Sequence, residues 1–118
     1  MAFILTAAVA QADPGDTPFW MPDMASVTKI EQTVIMPKGV QKPLEAYGRY
    51  YAGITKNGRR MIRGEFVMPQ MNDKFPRIYL TQNEDDLPAI EDGGCGVINL
   101  YYDIEMQKIT AIACNGEA

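Results

Sequence analysis

The stretch from Ala46 to Met68, AYGRYYAGITKNGRRMIRGEFVM, holds two runs rich in tyrosine, isoleucine, phenylalanine and valine on either side of Asn57-Gly58. Asparagine followed by glycine accepts the positive φ angles of a type I′ turn, the two-residue connection whose twist matches that of paired strands. The stretch therefore predicts a β-hairpin. With Asn57 and Gly58 as its loop, Lys56 stands opposite Arg59, Ile54 opposite Met61, Tyr51 opposite Gly64 and Tyr50 opposite Glu65. Side chains alternate between the faces of a strand, so this register puts Tyr47, Tyr51, Ile62, Phe66 and Met68 on one side, the expected core. Lys56, Arg59 and Arg63 fall on the other, wet side. The Tyr51 ring is expected to cover the bare backbone at Gly64.

Downstream of the hairpin, Pro69 to Pro76 reads as a loop, Arg77 to Thr81 as a short strand and Asn83 to Gly94 as an acidic connection. Gly96 to Asp103 and Lys108 to Cys114 read as a second hairpin. If Cys95 stands directly across from Cys114, Val97 faces Ile112, Asn99 faces Thr110 and Leu100 faces Ile109. Ile98, Leu100, Tyr102, Ile109, Ala111 and Ala113 then share one apolar face, with the disulfide on the other. Upstream, from Met24 to Met36, the apolar spacing of Met24, Val27, Ile30 and Ile35 fits a short amphipathic helix, although Thr28, Ile30, Gln32, Val34 and Met36 also alternate as a strand would; a helix to about Gln32 is expected. Pro37-Lys38-Gly39 ends that element. These parts predict an α+β fold: one mainly antiparallel sheet of about five strands, built from two hairpins, with one short helix.

The chain has 118 residues, a length that fits one small domain, and its 47% hydrophobic and 22% charged residues are ordinary for a globular chain. It contains no histidine, which excludes Ser-His-Asp and Cys-His nucleophile systems and imidazole metal sites. Met1 to Ala12 carries no charge, and Ala10-Gln11-Ala12 places small side chains where a signal peptidase accepts them. Cleavage after Ala12 is expected first and after Ala10 second. No basic residue precedes the apolar run, and the competing reading is an N-terminal element packed on the domain. The run is too short to span a bilayer. Residues 1–12 are thus read as a signal-peptide remnant, 13–22, with Pro14, Pro18 and Pro22, as a linker, and 23–118 as one globular domain. Cys95 and Cys114 flank the second hairpin and predict a disulfide formed in the periplasm or outside the cell.

Charge divides along the chain. From Lys38 to Arg77 nine basic residues face three acidic ones, whereas from Ile78 onward a single base, Lys108, faces eight acids. One reading is that the two halves attract each other within the fold or between copies. The other is that Lys56, Arg59, Arg60 and Arg63, together with Tyr50 and Glu65, form a binding surface for an anionic protein or surface ligand. Nucleic acid is disfavoured by the formal net charge of −4. The oxygens of Asn83, Glu84, Asp85, Asp86, Glu91 and Asp92 raise a calcium-binding alternative, without the spacing of a known calcium loop. A hydrolase built on paired carboxylates is a further alternative, although no particular pair stands out. No cofactor and no catalytic residue is assigned, and nothing in the sequence sets the number of copies.

The segments Pro43 to Ala52, Asp92 to Val97 and Ala113 to Gly116 resemble small exported alphaproteobacterial proteins of uncharacterised function. That resemblance implies export and a disulfide and carries no catalytic residue across. The expectation is a small exported, disulfide-stapled domain that acts by binding or as an envelope component, an inhibitor-like role included, and is more readily non-enzymatic than catalytic.

Overall fold

The turn residues Asn57 and Gly58 have φ angles of 52° and 76°, as a type I′ connection requires. A computed structural model of the chain describes residues 20–116. The expected signal segment and most of the expected linker lie outside the described residues. Around the turn, β1 (Gly48–Lys56) and β2 (Arg59–Val67) pair antiparallel, with Lys56 opposite Arg59, Tyr51 opposite Gly64 and Tyr50 opposite Glu65. The register expected from the turn is the register observed.

Besides short 3-10 turns at Leu44–Ala46, Glu84–Asp86 and Gly94–Gly96, the remaining elements are α1 (Met24–Thr33), the single-turn helix α2 (Pro69–Asn72), β3 (Ile78–Thr81), β4 (Val97–Asp103) and β5 (Lys108–Cys114). The fold is α+β, a five-stranded sheet in the order β3-β1-β2-β4-β5. Every neighbouring pair is antiparallel except β1 and β3. That exception follows from the chain path. β2 ends at Val67 beside the start of β1, so the return through α2 delivers β3 to the same end, where Ile78 pairs with Arg49. The segment expected as plain loop therefore contains a helical turn, opened by Pro69 at its first position and closed by Asp73 at φ 60°.

Helix wins over strand at Met24–Thr33 because Val27 and Ile30 must both reach the sheet, and residues three apart share a helix face but lie on opposite faces of a strand. Both are fully buried. The Asp23 carboxylate caps the start by accepting from the Ser26 N–H at 3.2 Å. On the sheet, Tyr47, Tyr51, Ile62, Phe66, Ile98, Leu100 and Tyr102 complete the core. A Cβ on Gly64 would sit 3.3 Å from the Tyr51 ring, so the tyrosine does cover that glycine.

Two expectations change. Trp20, placed in the expected linker, belongs to the core and bridges to Gly53, its indole N–H donating to the Ile54 carbonyl at 3.1 Å. The domain thus includes Trp20, and the linker boundary at 22 gives way. In the second hairpin, Leu100 stands opposite Ile112 rather than Ile109, and Ile98 rather than Cys95 stands opposite Cys114. The disulfide exists, with Cα atoms 4.6 Å apart. Cys95, however, lies in the helical turn Gly94–Gly96 before β4, and a bridge needs only proximity, not a ladder pair. The shifted register puts Ile112 and Cys114 on the core side with Ile98 and Leu100, and turns Ala111 and Ala113 to the other face. Ile109 keeps its place because the ladder shifts between Tyr101 and Tyr102.

Reduction of the bridge, which closes a separation of 19 residues, is expected to destabilise the domain by up to about 3 kcal/mol without unfolding it. Urea unfolding of oxidised and reduced protein checks this. Gly53 is under a second constraint, since a Cβ there would overlap the Trp20 carbonyl and indole. Gly53→Ala should displace the single tryptophan, red-shift its fluorescence and lower stability by about 3 kcal/mol, within the range of losing a packed tryptophan.

Candidate functional site

The strand positions that alternate with the core residues build the opposite face of the sheet. Across it, Tyr50 of β1 stands by Glu65 of β2 and Asn99 of β4, and Ala52 by Arg63 and Tyr101. At the hairpin end, the Lys56 ammonium lies 5.1 Å from the centre of the Tyr101 ring and the Arg63 guanidinium 6.0 Å from it. The ring face holds the Lys56 ammonium, and the charge an anion would meet is that of the ammonium. Arg59 completes the cationic end, its side chain 41% exposed.

The structure brings Tyr50, Lys56, Arg59 and Arg63 to this face, but not all six candidate residues to one accessible surface. Arg60 points the other way and stacks 4.0 Å from the Trp20 ring. An adjacent strand residue must change face, so Arg59 and Arg60 never act together here. Glu65 is on the face but fully buried. Its carboxylate accepts from the Ala89 N–H at 2.8 Å and the Ile90 N–H at 3.0 Å, so the acidic connection between β3 and β4 lies across it and closes it to any partner.

Acids from the C-terminal half occupy much of the cationic surface. Arg59 donates to Asp103 at 2.7 Å and pairs with Glu105 at 3.0 Å, and Arg63 donates to Glu84 at 2.9 Å. These contacts join the basic stretch to the acidic one, the within-fold attraction that the charge distribution anticipated. The Met106 N–H, and after it the Arg59 guanidinium, hold the Asp103 carboxyl below the usual carboxylate range. Lys56 is paired with no carboxylate among the described residues.

Beside this surface, Tyr50 stacks on Tyr79 with ring centres 4.6 Å apart and accepts from the Asn72 side-chain amide at 3.0 Å. Arg77 lies 4.6 Å from the Tyr79 ring. A recess of about 360 Å³ opens between these tyrosines, Lys74, Thr81 and Asp86. The oxygens of the acidic connection do not converge: Glu84 turns to Arg63, Asp86 accepts from Thr81, and Asn83 caps the Asp85 N–H. Among the described residues no three Cys, Asp or Glu side chains gather as a metal site would need.

A second polar cluster escaped the sequence reading. Arg49 donates twice to Glu31, both bonds at 3.0 Å, and the Tyr51 hydroxyl donates to the same carboxylate at 2.7 Å. Burial, and after it the Glu31 charge, pushes the Tyr51 phenol far up from its ordinary value. Glu31 and Arg49 meet only when α1 docks, so no local pattern announces them. No family model matches the chain, and neither a curated protein nor a solved structure is similar enough to count as a match.

The two acid–arginine pairs should differ in weight. Glu31→Ala strands a guanidinium whose side chain is 10% exposed and is expected to cost about 3 kcal/mol. Glu84→Ala removes a partner that is 43% exposed and should cost less than about 1 kcal/mol. Denaturant midpoints of the two variants provide the check.

Proposed function

We propose that the protein is a small exported domain that acts by binding an anionic protein or surface ligand through the cationic end of its first hairpin, in an envelope or inhibitor-like role. One observation carries this reading: the Lys56 ammonium lies over the Tyr101 ring, 5.1 Å from its centre, with no carboxylate partner among the described residues and with Arg59 at the rim. A cation held on a rigid sheet without a carboxylate of its own attracts an anion without chemistry of its own. Export is supported by the Cys95–Cys114 bridge, which persists in oxidising compartments, and by the signal-like pattern of residues 1–12. No helix among the described residues is long and apolar enough to cross a membrane.

The test is capture from an envelope extract with the chain from Asp13 onward, alongside Lys56→Glu and Tyr101→Ser, neither of which strands a buried ion-pair partner. A partner retained by the natural chain and lost from both variants is the expected result. Equal capture by all three would remove the hairpin end from consideration.

A further inference from the structure

Among the described residues β5 forms an outer edge of the sheet and pairs on one side only, with β4. The Asn115 N–H donates to the Val97 carbonyl at 2.9 Å, so by strand alternation Ala113 also turns its backbone groups toward β4, while Ile112 and Cys114 turn theirs outward. Sheets commonly guard such edges with charge or proline. β3 at the other edge is only four residues long and follows Pro76 and Arg77. Ile109 to Cys114, by contrast, contains neither a charge nor a proline. Beside it, on the α1 side, lies a recess of about 350 Å³ lined by Thr33, Ile35, Gln107, Lys108, Ile109 and Ile112. Ile35 stands at its rim, 83% exposed.

We propose that β5 pairs antiparallel with β5 of a second copy of this chain, joining two sheets into one of ten strands. Two features favour a copy over another occupant. The first is shape: a two-fold axis normal to the sheet keeps both α1 helices on one side, and each copy then offers a protruding Ile35 and a recess floored by Ile109 and Ile112, as an isologous contact requires. The second is charge. Lys108 opens β5, and the Glu91-Asp92 segment lies at its far end, where the Asn115 side-chain amide donates to the Ile90 carbonyl at 2.6 Å and the Asp92 carbonyl at 3.1 Å. Antiparallel pairing sets the start of one strand beside the end of the other, so each Lys108 approaches the acidic segment of its partner and the two lysines stay apart.

Sedimentation equilibrium of the oxidised full-length chain, from micromolar to submillimolar, tests the pairing. The expected mass is twice the 13.1 kDa of one chain. Ile35→Glu and Ala113→Lys, both at exposed positions, should each raise the dissociation constant by about tenfold or more with an unchanged far-ultraviolet spectrum. Phe75→Ser, at an exposed site elsewhere, should leave the doubled mass intact. A one-chain mass throughout would overturn the proposal and leave the edge to an extended segment of another protein. A doubled mass that neither Ile35→Glu nor Ala113→Lys reduces would place the contact elsewhere and overturn it equally.

Discussion

The Asn57-Gly58 turn is the constraint on which the remaining arrangement depends. Both residues take positive φ, which locks a two-residue loop and with it the pairing of β1 with β2. The odd-numbered residues of β1, Arg49, Tyr51 and Gly53, then face α1, and the even-numbered ones, Tyr50, Ala52 and Ile54, face away. A slip of one residue would exchange the two sets and put Arg49 where Tyr50 stands. The docking of Trp20 on Gly53, the Glu31 to Arg49 pair and the Lys56 to Tyr101 contact all presuppose that register.

The two faces use polar groups differently. On the α1 side, three tyrosines sit within the core, two of them with hydroxyls donating to defined acceptors: Tyr47 to the Cys95 carbonyl at 2.7 Å and Tyr51 to Glu31. Aromatic rings thereby fill volume while their polar ends remain satisfied. On the other face, Glu65 is buried without a cation at hydrogen-bond distance among the described residues. Its compensation is the pair of backbone N–H groups from Ala89 and Ile90, and Ala89 adopts φ 54° there. A carboxylate thus organises a loop in which Leu87 is the buried hydrophobic residue.

Part of the charge asymmetry is resolved internally. Glu84, after β3, pairs with Arg63, and Asp103 at the end of β4, with Glu105 beyond it, pairs with Arg59. Lys56, over the Tyr101 ring, has no carboxylate partner among the described residues, and neither have Lys38, Lys42, Lys74 and Arg77. The same chain order explains the disulfide: Cys95 ends the acidic connection, and tying it to Cys114 anchors that connection against the edge strand.

Local pattern was enough to specify the first hairpin, its register, the cover of Tyr51 over Gly64, the α+β class and the cysteine partners. Each depends on turn chemistry, period or cysteine count, which are written in neighbouring residues. The second hairpin shows the limit. The cysteine pair was a sound guide to proximity but not to register, because a bridge can close from a turn as well as from a ladder. The candidate surface was legible in part: the alternation placed Lys56, Arg59 and Arg63 together, yet Glu65 disappears under a connection that begins more than a dozen residues later in the chain, and Arg60 belongs to Trp20. Trp20, Glu31 and Ala89 reach their partners only through packing. By itself the sequence determined which residues pair across the Asn57-Gly58 turn, since backbone geometry over a few bonds decides that. Only the tertiary structure decided which charges remain available, because burial and neutralisation depend on segments distant in the chain coming together.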